Sequence, residues 1–360
     1  MKDKSNLGKH LKIVALAVLS AAVLWRLWRG LSWSEMRQTF IQANSLLLMS
    51  AVGLSAVNNL LRAFRWRVLL APSAAAGIND VFAATNIGIG GGFVFGNAVG
   101  EIIRPLALSL LSNQVRRTAA FLTIMVERLF DISVLCVLFG LSLLWFPIIG
   151  NKLGWSNYLT EAGVVLLVLP FVALAALILL KRRFTTLSTS QVGKGGLPPQ
   201  TLSRANHSSQ SEKFRKVSRA ASHFWQQSMR ALSVLTNAQE LIAVTLWTIA
   251  QWLSVIITNW LILRAFGLPF GFKETILVMS FGLVGSLVPT PGGAAGAFHA
   301  AVSGGLILLG VTLEKAAAIS IAAHLAGFIP ALVFGSYYLL RRGVDLAQLQ
   351  REIAVIGETR

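Results

Sequence analysis

Long apolar runs constrain this chain more than any other feature. Six stretches, at about 11–28, 44–62, 119–146, 162–180, 240–263 and 316–340, approach or exceed the roughly 20 apolar residues that a membrane crossing needs. Inside hydrocarbon every backbone N–H and C=O must find a partner within the protein, so runs of this kind are helices. Charged residues make up only 13% of the chain, about half the share usual in a soluble domain. The reading is therefore an all-α polytopic membrane protein, not a soluble enzyme, a disordered chain or a collagen-like chain. The net charge of +18 lies between the apolar runs and reads as membrane orientation rather than nucleic-acid binding. Cys136 is the one cysteine, which excludes a disulfide framework and a Cys-based metal site. The basic, apolar start has no small-x-small cleavage site with a polar flank, so a retained first span is expected rather than a signal peptide.

Two further apolar stretches, 78–112 and 274–311, are broken by Gly, Pro and charge. Each reads as two short helices that enter and leave on one side, a re-entrant hairpin. Broken backbone at membrane depth needs surrounding protein or a water-filled cavity. With six full crossings, two such hairpins and a cytoplasmic N-terminus, 23 Lys and Arg fall inside. Seven fall outside (Arg26, Arg29, Arg37, Lys152, Arg264, Lys273 and Lys315), and Arg104 and Arg128 stay within the membrane. This bias places both termini inside, in an inner (plasma) membrane.

The same topology makes 44–146 and 240–340 two units of span, hairpin and span with opposite directions, an inverted repeat. A shared G-x-A-x-G in Gly96–Gly100 and Gly292–Gly296 supports it. The organisation expected is then 1–43 first span and external amphipathic segment, 44–146 first repeat, 147–180 connecting span, 181–239 cytoplasmic linker, 240–340 second repeat and 341–360 cytoplasmic tail. Within the linker, 185–211 is rich in Ser, Thr, Gly and Pro and reads as a flexible loop. Residues 212–235 are basic and amphipathic, a helix that lies on an anionic leaflet or packs on the protein's own cytoplasmic face.

Glu101, Arg104, Glu127, Arg128 and Asp131 stand in or beside apolar stretches. Left unpaired at mid-bilayer, five charges would cost on the order of 12–18 kcal/mol. Spacing lets them pair: Glu101 with Arg104 and Arg128 with Asp131 at i,i+3, with Glu127 and Asp131 at i,i+4 on one face. The cluster is then either an ion-pair network that fixes helix packing or a polar pathway for a lipid headgroup or a proton. Pro289-Thr290-Pro291-Gly292-Gly293 ends one helix and opens another, whose free N–H groups would suit an anion. His299 and His324 are each either a buried, hydrogen-bonded side chain or a proton-responsive group. Walker A, H-E-x-x-H and G-x-S-x-G sequences are absent, and no soluble segment is long enough for transferase chemistry.

Gly100-Glu101-Ile102-Ile103-Arg104-Pro105, Val126-Glu127-Arg128-Leu129-Phe130-Asp131 and Pro289-Thr290-Pro291-Gly292-Gly293, in this order, resemble the flippase-like family of the lysylphosphatidylglycerol synthase transmembrane region. Arg65-Trp66-Arg67 also fits, and the resemblance spans about 44–340. It implies a lipid-handling membrane protein. In full-length synthases this region is thought to move aminoacylated phosphatidylglycerol between leaflets, while a separate soluble domain makes it. Stand-alone members are linked to hopanoids, polyprenyl-linked sugars or glycosyltransferases. No soluble synthase domain follows residue 340, so synthase chemistry is not expected. Two positions depart from the family: Gly96-Asn97-Ala98-Val99 where Pro-Gly-Arg is usual, and His299 where an acid is usual.

The function expected is therefore a flippase for an anionic, aminoacylated or polyprenyl-linked lipid. Glu101, Arg104, Glu127, Arg128, Asp131, Pro291, Gly292, Gly293 and His299 are its expected substrate-binding residues. The alternative is a non-transporting partner that anchors or regulates a lipid-modifying enzyme or glycosyltransferase. Neither reading needs catalysis, a cofactor or a metal. Membrane lipids, such an enzyme and a second copy of the chain are the partners expected, and nucleic acid is not.

Overall fold

The structure is a computed structural model, and it describes residues 29–146, 156–192, 230–288 and 291–343, with Val18, Ala22, Trp25, Gln227 and Ser228. Most of the expected first span, residues 193–211 of the flexible loop expected at 185–211, most of the basic amphipathic segment and most of the expected tail lie outside the described residues. Ten α-helices and one 3-10 turn account for the described secondary structure, with no strand among the described residues. In chain order they are α1 (Trp33–Gln42), α2 (Ser45–Leu70), α3 (Ile78–Phe95), α4 (Asn97–Leu111) and α5 (Arg117–Trp145). There follow α6 (Ser156–Val192), α7 (Ala238–Ala265), α8 (Phe272–Gly285), α9 (Pro291–Leu308) and α10 (Leu313–Arg342). The 3-10 turn, Leu232–Leu235, precedes α7.

Local chemistry fixes the ends. Asn44 caps α2 by accepting from Leu47 N–H at 3.1 Å, and Asn237 caps α7 by accepting from Gln239 N–H at 3.1 Å. Glu274 in the first turn of α8 reaches back to Gly271 N–H at 2.8 Å. Gly96, at φ 100°, turns the chain between α3 and α4.

Among the described residues, four helices are long and apolar enough to cross a membrane: Ser45–Leu70, Ala238–Ala265, Leu313–Arg342 and, within α6, Tyr158–Ala176. The molecule is a polytopic helical membrane protein. At 29 residues α5 has the length, but it carries Glu127, Arg128 and Asp131 along its middle. The broken stretches are helix pairs, α3 on α4 and α8 on α9. In the first pair the backbones touch: a Cβ on Gly100 would lie 2.5 Å from Gly88 O and 2.7 Å from Gly92 Cα. Small residues allow this approach.

Two spans run further than hydropathy suggests. The sequence reading ends the second at residue 62, yet α2 continues to Leu70. Arg65 is therefore not in a cytoplasmic loop but fully buried. Likewise α6 continues to Val192, so 181–192 extend a helix rather than begin the linker. The described end of the amphipathic segment packs on protein: Ala231, Val234 and Leu235 are buried, and Gln227 accepts a hydrogen bond from Thr118.

Two large apolar cores hold the fold. The first joins Trp66, Leu69, Leu70, Ile87, Ile103, Leu108 and Ile124 from α2 to α5. The second joins Ile262, Leu263, Val302, Leu306 and Ile319 from α7, α9 and α10. The helix contacts repeat between the halves. α3 packs on α10 as α8 packs on α5, and α4 on α5 as α9 on α10. α2 meets α3 and α5 as α7 meets α8 and α10, and α2 lies against α7 itself.

Candidate functional site

α2 carries its polar residues on one face. Ser55, Asn58, Asn59, Arg62 and Arg65 recur at three- and four-residue steps, the spacing that stacks side chains on a helix. α5 lays Glu127, Arg128 and Asp131 against the C-terminal, basic end of that stripe. α4 adds Glu101 and Arg104.

Glu127 is the hub. Its Oε1 accepts from Arg104 Nη1 at 2.8 Å, Arg65 Nη2 at 2.9 Å, Arg62 Nε at 3.1 Å and Arg128 Nη2 at 3.2 Å. Arg65 also spans both oxygens of Asp131, at 2.7 and 3.2 Å. Arg128 closes on Asp131 at 2.8 Å, and Arg62 on Glu101 at 3.1 Å. From α7, Trp252 Nε1 donates to Asp131 at 3.4 Å and Thr248 Oγ1 accepts from Arg65 at 3.4 Å. Four arginines thus face three carboxylates, an excess of one positive charge in seven paired groups. Pairing is what makes these charges tolerable in an apolar interior.

The cluster has a closed side and an open side. Arg65, Arg104 and Glu127 are buried, while the side chains of Arg62, Arg128 and Glu101 are 17%, 31% and 29% exposed. Arg104 is therefore an inner member. Its guanidinium lies 4.1 Å from the Trp66 ring centroid, and Trp66 Nε1 donates to Thr123 Oγ1 at 3.0 Å. Among the described residues, Arg104 Nε and Nη2, Arg65 Nε and Glu127 Oε2 have no hydrogen-bond partner. Trp66→Phe removes one hydrogen bond and weakens the cation–π contact, so it is expected to cost about 1–2 kcal/mol. Equilibrium unfolding in detergent measures this, and an unchanged midpoint would show that Trp66 does not hold Arg104.

The remaining sequence-predicted residues form a second group, on α9 and α10. Gly292, Gly293 and Ala294 take left-handed φ of 71°, 62° and 63°, so the chain after Pro291 makes a left-handed turn before the right-handed helix begins. The expected row of N–H groups at a regular helix start is replaced by this turn. A Cβ on Gly293 would also meet the Phe328 ring at 2.6 Å. His324 Nε2 lies 3.0 Å from Gly292 O, and His299 Nδ1 lies 3.1 Å from Ser320 Oγ. The two imidazoles are 5.0 Å apart, among Phe93, Phe298 and Phe328. Both histidines are buried and hydrogen-bonded.

The structure brings Glu101, Arg104, Glu127, Arg128 and Asp131 together, and it keeps His299 and the 291–293 turn apart from them. No hydrogen bond or ion pair joins the two groups among the described residues. The hairpin tips do touch: Asn97 Nδ2 donates to Ser286 O at 3.3 Å. Sequence reasoning missed Arg62 and Arg65 because it ended the second span at residue 62 and counted both among the charges outside the membrane. Their register with Ser55, Asn58 and Asn59 was the available signal.

The family described as the lysylphosphatidylglycerol synthase TM region matches residues 12–335, nearly the whole chain. No curated protein and no solved structure matches it.

Proposed function

The chain belongs to the lysylphosphatidylglycerol synthase transmembrane-region family, and from that premise we propose that it is a lipid translocase, a flippase that moves an amphiphilic lipid between leaflets. Family membership makes it a membrane lipid-related protein. The observation that carries the finer reading is the cluster around Glu127, with its net positive charge and its edge of Arg62, Arg128 and Glu101. A phosphate meeting that edge finds two guanidinium groups, which bind phosphate well. The acids balance the arginines when no headgroup is there. Because Arg104 is an inner member, its part is to hold Glu127 rather than to touch the lipid.

The architecture proposed with it has six crossings, α3–α4 and α8–α9 as hairpins from opposite sides, and both termini in the cytoplasm of a plasma-membrane protein. The paired helix contacts of the two halves support an inverted repeat. In that repeat α4 and α5, which carry five of the seven charges, correspond to α9 and α10, which carry the histidine group. Rocking one half against the other would expose the open edge of the cluster to each side in turn. A second copy, or a lipid-modifying enzyme or glycosyltransferase, would be its protein partner.

Purified protein in liposomes with fluorescent anionic, aminoacylated and polyprenyl-linked lipids tests this. Wild type should move at least one of them, and Arg128→Gln should slow it by about tenfold, as expected for losing about 1.4 kcal/mol of headgroup binding. Folded wild-type protein that moves none of the panel would replace translocation with the partner-protein reading.

A further inference from the structure

α3 and α10, one from each half of the molecule, run antiparallel. A Cβ on Gly335 would meet Asn86 O at 2.9 Å and one on Gly90 would meet Ala331 O at 3.5 Å, so numbers fall along one helix as they rise along the other. Towards the start of α3, the Phe82 ring meets Phe334 and Tyr338 edge-on, with centroids 5.3 and 6.1 Å apart. At the end of this seam Asp80 pairs with Arg342 at 3.4 Å, well away from the arginine cluster. Both members reach solvent, with side chains 22% and 41% exposed.

Beside these contacts lies a mostly apolar groove of about 160 Å³, lined by Ile87, Val94, Phe95, Leu332, Gly335 and Leu339 among others. Val94, Phe95, Val333 and Leu340 are exposed along its rim, so in a membrane it opens onto hydrocarbon. Its walls run from Asn86 to Phe95 on α3 and from Ala331 to Leu339 on α10, about 12–14 Å of helix each. One leaflet contributes roughly 15 Å to the hydrocarbon core. One end of the groove, at Leu339, is close in sequence to the cations Arg341 and Arg342. The other end, at Phe95, adjoins the hairpin tip where Asn97 touches Ser286. A groove with charge at one end, apolar walls and the length of a leaflet has the outline of a single lipid.

We propose that this groove seats one hydrocarbon chain of an anionic lipid, whose phosphate takes Arg342 from Asp80. The inference rests on the translocation reading and names where the lipid first seats. An exposed ion pair is weak, whereas a guanidinium can hold a phosphate through two parallel hydrogen bonds. Asp80 keeps a favourable place without Arg342, because it lies in the first turn of α3, where the helix dipole stabilises a carboxylate. A helix is about 10–12 Å across and too wide for a slot of this volume and length, so a second copy of the chain is not the occupant. Asn86 connects the seat to the arginine cluster. It accepts from Asn59 Nδ2 at 2.9 Å, and Asn59 shares the polar face of α2 with Arg62.

The test uses the full chain in phosphatidylcholine nanodiscs that contain a trace of phosphatidic acid or of diacylglycerol, each with the same diazirine-bearing acyl chain. After illumination the labelled residues are read by peptide mass spectrometry. The outward face of α6, at Val164, Val168 and Phe171, measures ordinary lipid contact. Relative to that face, phosphatidic acid should label Val94, Phe95, Leu332 and Leu339 of wild type about tenfold more than diacylglycerol does, the scale of one charge-assisted hydrogen bond. Arg342→Gln should bring phosphatidic acid down to the diacylglycerol level. Asp80→Asn should raise its labelling, because the competing carboxylate is gone. A pair that merely fastens α3 to α10 would make the two substitutions act alike, so loss of labelling in both overturns the proposal. Equal labelling of wild type by the two probes overturns it too, as does cross-linking of these residues to a second copy of the chain. The wild-type comparison decides the matter even if a variant misfolds. Seating without transport removes translocation and keeps the site, whereas transport without seating removes the site and keeps translocation.

Discussion

Replacing Glu127 by glutamine is expected to lower stability by about 3–5 kcal/mol, the usual cost of removing one partner from a buried ion-pair network. The shape barely changes, so the loss is one of charge. One carboxylate oxygen now serves Arg62, Arg65, Arg104 and Arg128. A neutral amide would leave four guanidinium groups sharing Glu101 and Asp131. Arg104 suffers most, since its ion pair is with Glu127 and its exposure is 1%. Glu101→Gln is the control. Its side chain is 29% exposed and meets two arginines that are themselves partly exposed, so it should cost about 0–1 kcal/mol, as surface pairs do. Both are read by reversible unfolding in mixed micelles. Equal losses at the two positions would mean that Glu127 is not the hub.

The sequence allowed the cluster to be foreseen in part, and the part it hid has a physical cause. Glu101, Arg104, Glu127, Arg128 and Asp131 stand out because each interrupts an apolar run at helical spacing. Arg62 and Arg65 do not interrupt a run but appear to follow one, since hydropathy counts an arginine as an end. Only the acids of α5, more than sixty residues away in the chain, let α2 carry them as interior residues: Arg65 meets Asp131 at 2.7 Å. Non-local pairing of this kind does not show in hydropathy, and only the three- and four-residue register with Ser55, Asn58 and Asn59 points to it. Polar residues between α2 and α7 are hidden for the same reason. Ser55, Asn58 and Asn59 read as incidental polarity on one apolar helix, and Thr258 and Asn259 as the same on another, until α2 is laid against α7.

The placement of the helices was the more legible level. The two broken stretches and the five expected spans that lie in the described residues all form helices, with α2 and α6 running past the charges expected to end them. What spacing could not give was the turn after Pro291. Two prolines and two glycines signal a break, but the left-handed run of Gly292, Gly293 and Ala294 depends on the Phe328 ring, which leaves no room for a Cβ at Gly293, and on His324, which reaches Gly292 O. The G-x-A-x-G likeness between the hairpins likewise covers different geometries. Gly96 alone turns the first, at φ 100°, while three consecutive residues turn the second.

The tight joint in the first hairpin gives the second large effect. Gly100→Ala is expected to cost about 1–3 kcal/mol, the range for forcing an extra methyl into a filled space. The added Cβ would meet Gly88 O at 2.5 Å and Gly92 Cα at 2.7 Å, both backbone, so relief requires α3 and α4 to separate. Separation is also a functional lesion, because Glu101 and Arg104 follow Gly100 directly on α4. Lipid transport should therefore fall together with stability. Gly90→Ala is the control on α3, since it faces α10 rather than α4 and its Cβ would find its nearest neighbour, Ala331 O, at an ordinary 3.5 Å. That variant should unfold and transport as wild type does. If Gly100→Ala matched it, the backbone contact of α3 and α4 could not be what sets Glu101 and Arg104 against α5. The same contact explains why this hairpin needs its glycines at four-residue steps on α3, at Gly88 and Gly92. Only a face without side chains lets α4 come close enough for Arg104 to reach Glu127 at 2.8 Å.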